Sequence, residues 1–293
     1  MSALFNLSGV LVVTLLSSRV AASVKELVLF EQNSRLSSIA LIAAMLAIII
    51  WSTAAWYFGI PTSESHALTA GLSGAAIALK NSFEGINKDK LFETLFGLVF
   101  SSAAGVLLGF LTARLIAFAF KNTNRQRTNR FFKIGQILSG SALSFMHGAQ
   151  DGQKFVGVLL LGAYVSQSVE TFNDRHRLML IIYVSLLMAL GTSLGGKRII
   201  KTVGMDMVRL EGYQGFSADL ACFISLLFPT LIGIPVSTTH TKTSAVIGVG
   251  ASKRLSAIDL TTVKDMVIAW LLTFPISGFI GFCIAKLLFY VLL

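Results

Sequence analysis

Charge is scarce in this chain. Only 13% of its 293 residues are Asp, Glu, Lys or Arg, 54% are hydrophobic, and the mean hydropathy is +0.76. An ordinary soluble domain carries about 25% charged residues, so a water-facing catalytic domain is a poor fit and the composition is that of a polytopic membrane protein in a lipid bilayer. Cysteine is nearly missing: Cys222 and Cys283 both lie in apolar runs, which argues against a structural disulfide and leaves the redox compartment unread. No low-complexity tract, heptad array or soluble extension interrupts the sequence. The apolar N-terminus has no basic region ahead of it, so a spanning helix is expected there rather than a cleaved signal peptide.

What is there is a series of apolar blocks, each long enough to cross a hydrocarbon core of roughly 30 Å: Met1 to Ala22, Leu36 to Phe58, Leu91 to Phe120, Ile134 to Val169, Leu178 to Gly196, Phe216 to Ile234 and Val263 to Leu293. The block from Ile134 is long enough to break. The net charge of +10 could suggest nucleic acid, but the basic residues are not spread over a soluble face. Lys121, Arg125, Arg127, Arg130 and Lys133 crowd residues 121–133 without one acid, as the positive-inside rule expects of a cytoplasmic loop. The expected location is the cell membrane, multi-pass, with no nucleic-acid partner.

A short polar phrase occurs twice in this apolar text. Gly59-Ile60-Pro61-x-Ser63-x-x-His66-x-x-Thr69 returns 174 positions later as Gly233-Ile234-Pro235-x-Ser237-x-x-His240-x-x-Thr243, and Gly74 returns as Gly248. Gly109-Phe110-x-x-Ala113-Arg114-Leu115 then matches Gly281-Phe282-x-x-Ala285-Lys286-Leu287 at an offset of 172. The expected fold is all-α, with two homologous, inverted repeats and re-entrant or broken helices. Residues 1–120 form the first repeat (re-entrant segment about 59–79), 121–133 the basic loop, and 134–293 the second repeat (re-entrant segment about 233–251). Gly/Pro-interrupted segments at matching places of two halves point to a binding site at the repeat interface.

A second polar cluster lies within the Ile134 block. His147, Gln150, Asp151 and Lys154 fall at i, i+3, i+4 and i+7, one stripe of a helix. Ionisable groups at membrane depth are costly and face a cavity or the bundle interior. Either the stripe binds something, or Asp151 and Lys154 neutralise each other and lock helices together. Gly148, Gly152 and Gly157 weaken helix propensity here, so a broken helix or hairpin is expected.

In the duplicated segments, Pro61 and Pro235 suit a first helical turn. The hydroxyls of Thr62, Ser63 and Ser65, and of Ser237, Thr238 and Thr239, sit among unpaired N–H groups, an arrangement ready to hold an anion. Two such helices meeting tip to tip would surround one oxyanion; plain N-capping is the alternative. His66 and His240 each follow a serine by three positions, but no matched acid orients them. A supporting role therefore outranks a catalytic one, and an enzyme is not expected. Glu64 is the sole acid of the first motif, with Thr238 at the matched position; a cation or Lys154 could pair with it.

The run Ser144-Phe145-Met146-His147-Gly148-Ala149-Gln150-Asp151-Gly152-Gln153-Lys154, with Pro235-Val236-Ser237-Thr238-Thr239-His240, resembles the signatures of the inorganic phosphate transporter (PiT) family. The resemblance covers essentially the whole chain. It implies inverted repeats and symport of inorganic phosphate with a coupling ion, Na⁺ or H⁺, and no other cofactor or metal. It carries substrate contacts to Ser63, Ser65, Gln150, Asp151, Lys154, Ser237, Thr238 and Thr239, coupling-ion contacts to Asp151 and Glu64, and supporting roles to His66, His147 and His240. Gln150 departs from the family's usual Asn. A homodimer is left open as an assembly. One repeat before Asp151 lies upstream of Met1, so the first copy of the signature is expected to be lacking. A truncated, non-transporting paralogue and a permease for another oxyanion such as sulfate are the competing readings.

Overall fold

The computed structural model describes residues 1–32, 34–166, 173–195, 199, 201–203 and 207–292. The expected block ends at Val169, Gly196 and Leu293 lie outside the described residues, as do the side chains of Arg125 and Arg127. Eleven α-helices are described: α1 Ser2–Leu16, α2 Arg19–Lys25, α3 Arg35–Phe58, α4 Glu64–Lys80, α5 Lys88–Ala119, α6 Arg125–His147, α7 Gln153–Val165, α8 Asp174–Leu194, α9 Gly212–Ile232, α10 Thr238–Lys253 and α11 Leu260–Leu292. Five of them (α3, α5, α8, α9 and α11) are long and apolar enough to span a bilayer. Among the described residues there is no β-strand, only the isolated bridges Val28 to Ile86 and Val208 to Ile258.

The duplicated phrase becomes duplicated geometry. Gly59 ends α3 and Gly233 ends α9 in the left-handed conformation, at φ 71° and 86°, which glycine adopts without a Cβ penalty. Two residues on, Pro61 and Pro235 donate no N–H and fix an extended path. Ser63 and Ser237 then cap α4 and α10, accepting from His66 N at 3.1 Å and His240 N at 3.2 Å. The prolines thus precede each cap instead of entering the first turn as expected, because the serine takes the N-cap position. Each unit is a spanning helix, a tight break and a second helix that starts inside the protein.

The two units then exchange partners. α4 packs most extensively on α11, and α10 on α5, so each broken helix leans on the long helix of the other half. Small residues allow it. A Cβ added at Gly74 would strike the Gly278 backbone and one at Gly248 the Val106 backbone, while Ser277 Oγ donates to Ala67 O at 2.9 Å. These contacts are related by the sequence repeat, and they bring the N-termini of α4 and α10 together at the centre. Polar residues are buried there while the outer faces of the long helices are apolar: Leu107 is 59% exposed and Phe279 68%.

Two expectations are corrected. The first apolar block is not one spanning helix: α1 and α2 meet at 83°, Ser18 Oγ bonds back to Thr14 O, and Arg19 turns aside to donate to Leu231 O. Nor is 121–133 a loop. α6 begins at Arg125, since nothing between Arg125 and Lys133 breaks a helix, and Arg130 and Lys133 lie on its first turns. The glycine-rich signature does interrupt its helix, as a π-turn over Gly148–Gly152 between α6 and α7.

Candidate functional site

The π-turn delivers Asp151 into the space between the tips of α4 and α10. Its carboxylate is 4% exposed as a residue and fully engaged. Oδ1 accepts from Lys154 Nζ at 2.5 Å, while Oδ2 accepts from Thr238 Oγ1 at 2.7 Å and lies 3.0 Å from His147 Nε2. The expected stripe of His147, Asp151 and Lys154 therefore survives the break, because an extra residue in a π-turn shifts the facing by less than a third of a turn.

Lys154, 3% exposed, also donates to Ser65 Oγ and to Val236 O, each at 2.5 Å. Ser65 Oγ lies 3.1 Å from the same carbonyl. Three parts of the chain thus meet at one ammonium: the signature, the first turn of α4 and the extended segment before α10. Gln150 faces the other way. Its Nε2 donates to Thr230 Oγ1 at 2.9 Å and Ile234 O at 3.2 Å, and its Oε1 accepts from Val236 N at 3.4 Å, so the amide satisfies the unwound backbone after α9.

A cavity of about 150 Å³ opens beside this junction, lined by Thr62, Glu64, Ser65, His147, Asp151, Ser237, Thr238 and Thr239 among the polar residues, with Ser52, Trp56, Ile60 and Pro61. It is roughly the size for one small polyatomic ion with some water. The hydroxyls of the two helix starts surround it, and the first turns of both helices form part of its wall, where helix N-termini favour an anion. Of the sequence-derived candidates, Ser65, Glu64, Asp151, Ser237, Thr238, Thr239 and His147 come together at this cavity. Ser63 serves as a buried cap, and Gln150 and Lys154 stand behind the wall, holding the segment 234–236. Lys154 is paired with Asp151, not with Glu64.

His66 and His240 are buried and lie outside the cavity lining. Their rings meet edge to face at 4.2 Å, and His240 stacks on Trp270 at 3.9 Å. Trp270 Nε1 in turn donates to Pro61 O at 3.0 Å. The two histidines thereby tie α4, α10 and α11 together.

One polar residue at the site was not singled out from sequence. Asn6 on α1 accepts or donates at His147 Nδ1 (3.1 Å) and donates to Thr192 Oγ1 at 2.8 Å, fixing the imidazole that faces Asp151. Its signal was a lone amide in the run from Ser2 to Leu16. Thr62, one of the hydroxyls the sequence places at the helix starts, lines the cavity one position before the cap.

The phosphate transporter family model matches residues 1–281. A probable low-affinity inorganic phosphate transporter of Bacillus subtilis is 33% identical over 281 residues, which is 96% of this chain and 83% of that protein. One of the same description from Rhizobium meliloti is 36% identical over 239 residues, 82% of this chain and 71% of that protein. A solved structure titled "The sodium-dependent phosphate transporter" superposes with a TM-score of 0.84 at 21% identity, covering 99% of this chain and 90% of that one. The fold is therefore the same.

Proposed function

Since this chain belongs to the phosphate transporter family, whose members are membrane transporters and not enzymes, we propose that it carries inorganic phosphate across the cell membrane together with a cation, Na⁺ or H⁺. The observation that carries this reading is the convergence of two capped helix N-termini and their hydroxyls on one cavity of about 150 Å³. Thr62, Ser237 and Thr239 offer hydroxyl donors to phosphate oxygens, the hydroxyls of Ser65 and Thr238 would join them by releasing Val236 O and Asp151 Oδ2, and the first-turn N–H groups of α4 and α10 add their partial positive charge. Ser63 and Gln150 act on phosphate indirectly, by shaping those two turns. The repeats 1–120 and 134–293 contribute to both bodies that would move against each other around the bound ion, α3, α4 and α11 on one side and α5, α9 and α10 on the other.

The charge balance supports coupling to a cation. The cavity presents the carboxylates of Glu64 and Asp151, and a phosphate anion entering a low-dielectric site beside them is repelled unless positive charge enters with it. Lys154 compensates Asp151. Glu64, on the first turn of α4, is left facing the cavity, where a co-transported Na⁺ or a proton would neutralise it. Binding the ion first makes the site attractive to phosphate, which is the thermodynamic content of symport.

The test is uptake of radiolabelled phosphate into proteoliposomes containing the chain, with Na⁺ and H⁺ gradients imposed separately. Uptake driven by one gradient identifies the coupling ion; no uptake with either overturns the reading, and competition by sulfate as strong as by phosphate would reassign the substrate. Thr62→Val and Thr239→Val remove hydroxyls that face the cavity and carry no cap. Each is expected to raise the apparent KM for phosphate about 10- to 100-fold, as for loss of a hydrogen bond to a charged group, with an unchanged melting temperature. An unaltered KM in both would move the anion away from the helix starts.

A further inference from the structure

We infer that the Lys154 ammonium is a tethered cation filling an oxygen cage built to the chemistry of an alkali-metal site, so that this chain carries in covalent form one of the positive charges a carrier would otherwise take from solution. The inference rests on the proposed symport for its meaning, but its geometry stands apart from it. Nζ is 2.5 Å from each of three oxygens of different kinds: a carboxylate (Asp151 Oδ1), a hydroxyl (Ser65 Oγ) and the carbonyl of Val236 in an unwound segment between helices. Carboxylates with carbonyls freed by a break in a membrane helix are the ligand set that coordinates Na⁺ in carriers with broken helices, and hard cations select oxygen donors of this kind.

A buried ammonium needs an acceptor for each of its three N–H groups, and here two of the three are supplied from outside its own helix. Val236 O and Ser65 Oγ come from the two broken helices of opposite repeats. The ammonium therefore sits where the moving parts meet, not along a helix face. With a charge already fixed there, a free metal ion is excluded from this cage by repulsion and by volume. The mobile cation then serves Glu64, since the other carboxylate lining the cavity, Asp151, is already paired with Lys154.

The experiment counts bound ions. Purified wild type, Lys154→Ala and Lys154→Ala/Asp151→Asn chains are equilibrated with ²²Na⁺, and saturable Na⁺ per chain is measured in choline-balanced buffer. Lys154→Ala is expected to bind about one more Na⁺ per chain than wild type, the cage being vacated with its oxygens in place, and the double variant should lose that gain. No additional Na⁺ in Lys154→Ala overturns the inference. Should Lys154→Ala fail to fold, it is purified in Na⁺ and in choline side by side: recovery in Na⁺ alone supports the cage, and recovery in neither overturns it. Because no phosphate enters the measurement, a wild-type chain that transports no phosphate would defeat the proposed function and leave the ion count to stand or fall by itself.

Discussion

Asp151→Asn is expected to abolish phosphate uptake and, at the same time, to unfold or strongly loosen the protein. The substitution preserves volume, which from sequence alone suggests that only the chemistry would suffer. The structure changes that expectation, because the carboxylate accepts from Lys154 and Thr238 and faces His147 in a site where both members of the ion pair are almost inaccessible, 4% and 3% exposed. Removing one partner of a buried pair leaves the other charge stranded, at a cost of about 3–5 kcal/mol. The stranded ammonium also holds Ser65 and Val236, so the loss spreads to the tips of both broken helices. The separation of the two effects comes from the double variant Asp151→Asn/Lys154→Met, which removes both charges and fills the space with an unbranched side chain. Thermal melting in detergent should show the single variant well below wild type and the double variant recovered by most of that difference, while uptake stays absent in both. A single variant that melts with the wild type would mean that the pair is solvated and does not hold the helices. Uptake surviving in either would remove Asp151 from the transport site.

The parts of this fold that could be read from the sequence are those where a rare residue type recurs at a fixed spacing. Gly59, Pro61 and Ser63, repeated as Gly233, Pro235 and Ser237, gave the break between helices, because left-handed backbone, a missing N–H and an N-cap are local requirements that local sequence meets. The stripe from His147 to Lys154 was visible for the same reason, since charge stands out in an apolar run. Most of what escaped was decided by distant contacts. The 83° bend after Leu16 depends on Arg19 finding Leu231 O, more than 200 positions away, and the helical start at Arg125 on the absence of any local breaker among residues that read as a loop by charge. Gln150 looked like a substrate ligand because it shares a segment with Asp151. In the structure its amide bonds the backbone at Ile234 and Val236, which only the folded chain brings within reach. The exchange of partners between the repeats was likewise invisible, though the glycines that permit it were in plain view.

That exchange sets the second large effect: Gly248→Leu and Gly74→Leu are each expected to prevent assembly of the folded chain, and to do so to a similar degree. At Gly248 an added Cβ would strike the Val106 backbone carbonyl, and at Gly74 that of Gly278; these are the same contact seen in the two repeats. Backbone cannot rotate away as a flexible side chain can, so α10 would have to withdraw from α5, or α4 from α11. Over-packing in a tight core costs about 1–3 kcal/mol and occasionally more, and a leucine forced between two helices in backbone contact belongs at or above the top of that range. Gly191→Leu supplies the comparison, since an added Cβ on α8 meets nothing within 4 Å and the side chain would join an apolar outer face. The readout is the monodisperse fraction after extraction, with uptake measured on whatever is recovered. Loss at 74 and 248 with wild-type behaviour at 191 is the expected pattern. If Gly74→Leu folded while Gly248→Leu did not, the two crossed contacts would differ in weight despite their matching geometry. The second repeat would then hold the first in place, and the cavity between α4 and α10 would be positioned from one side instead of by mutual support.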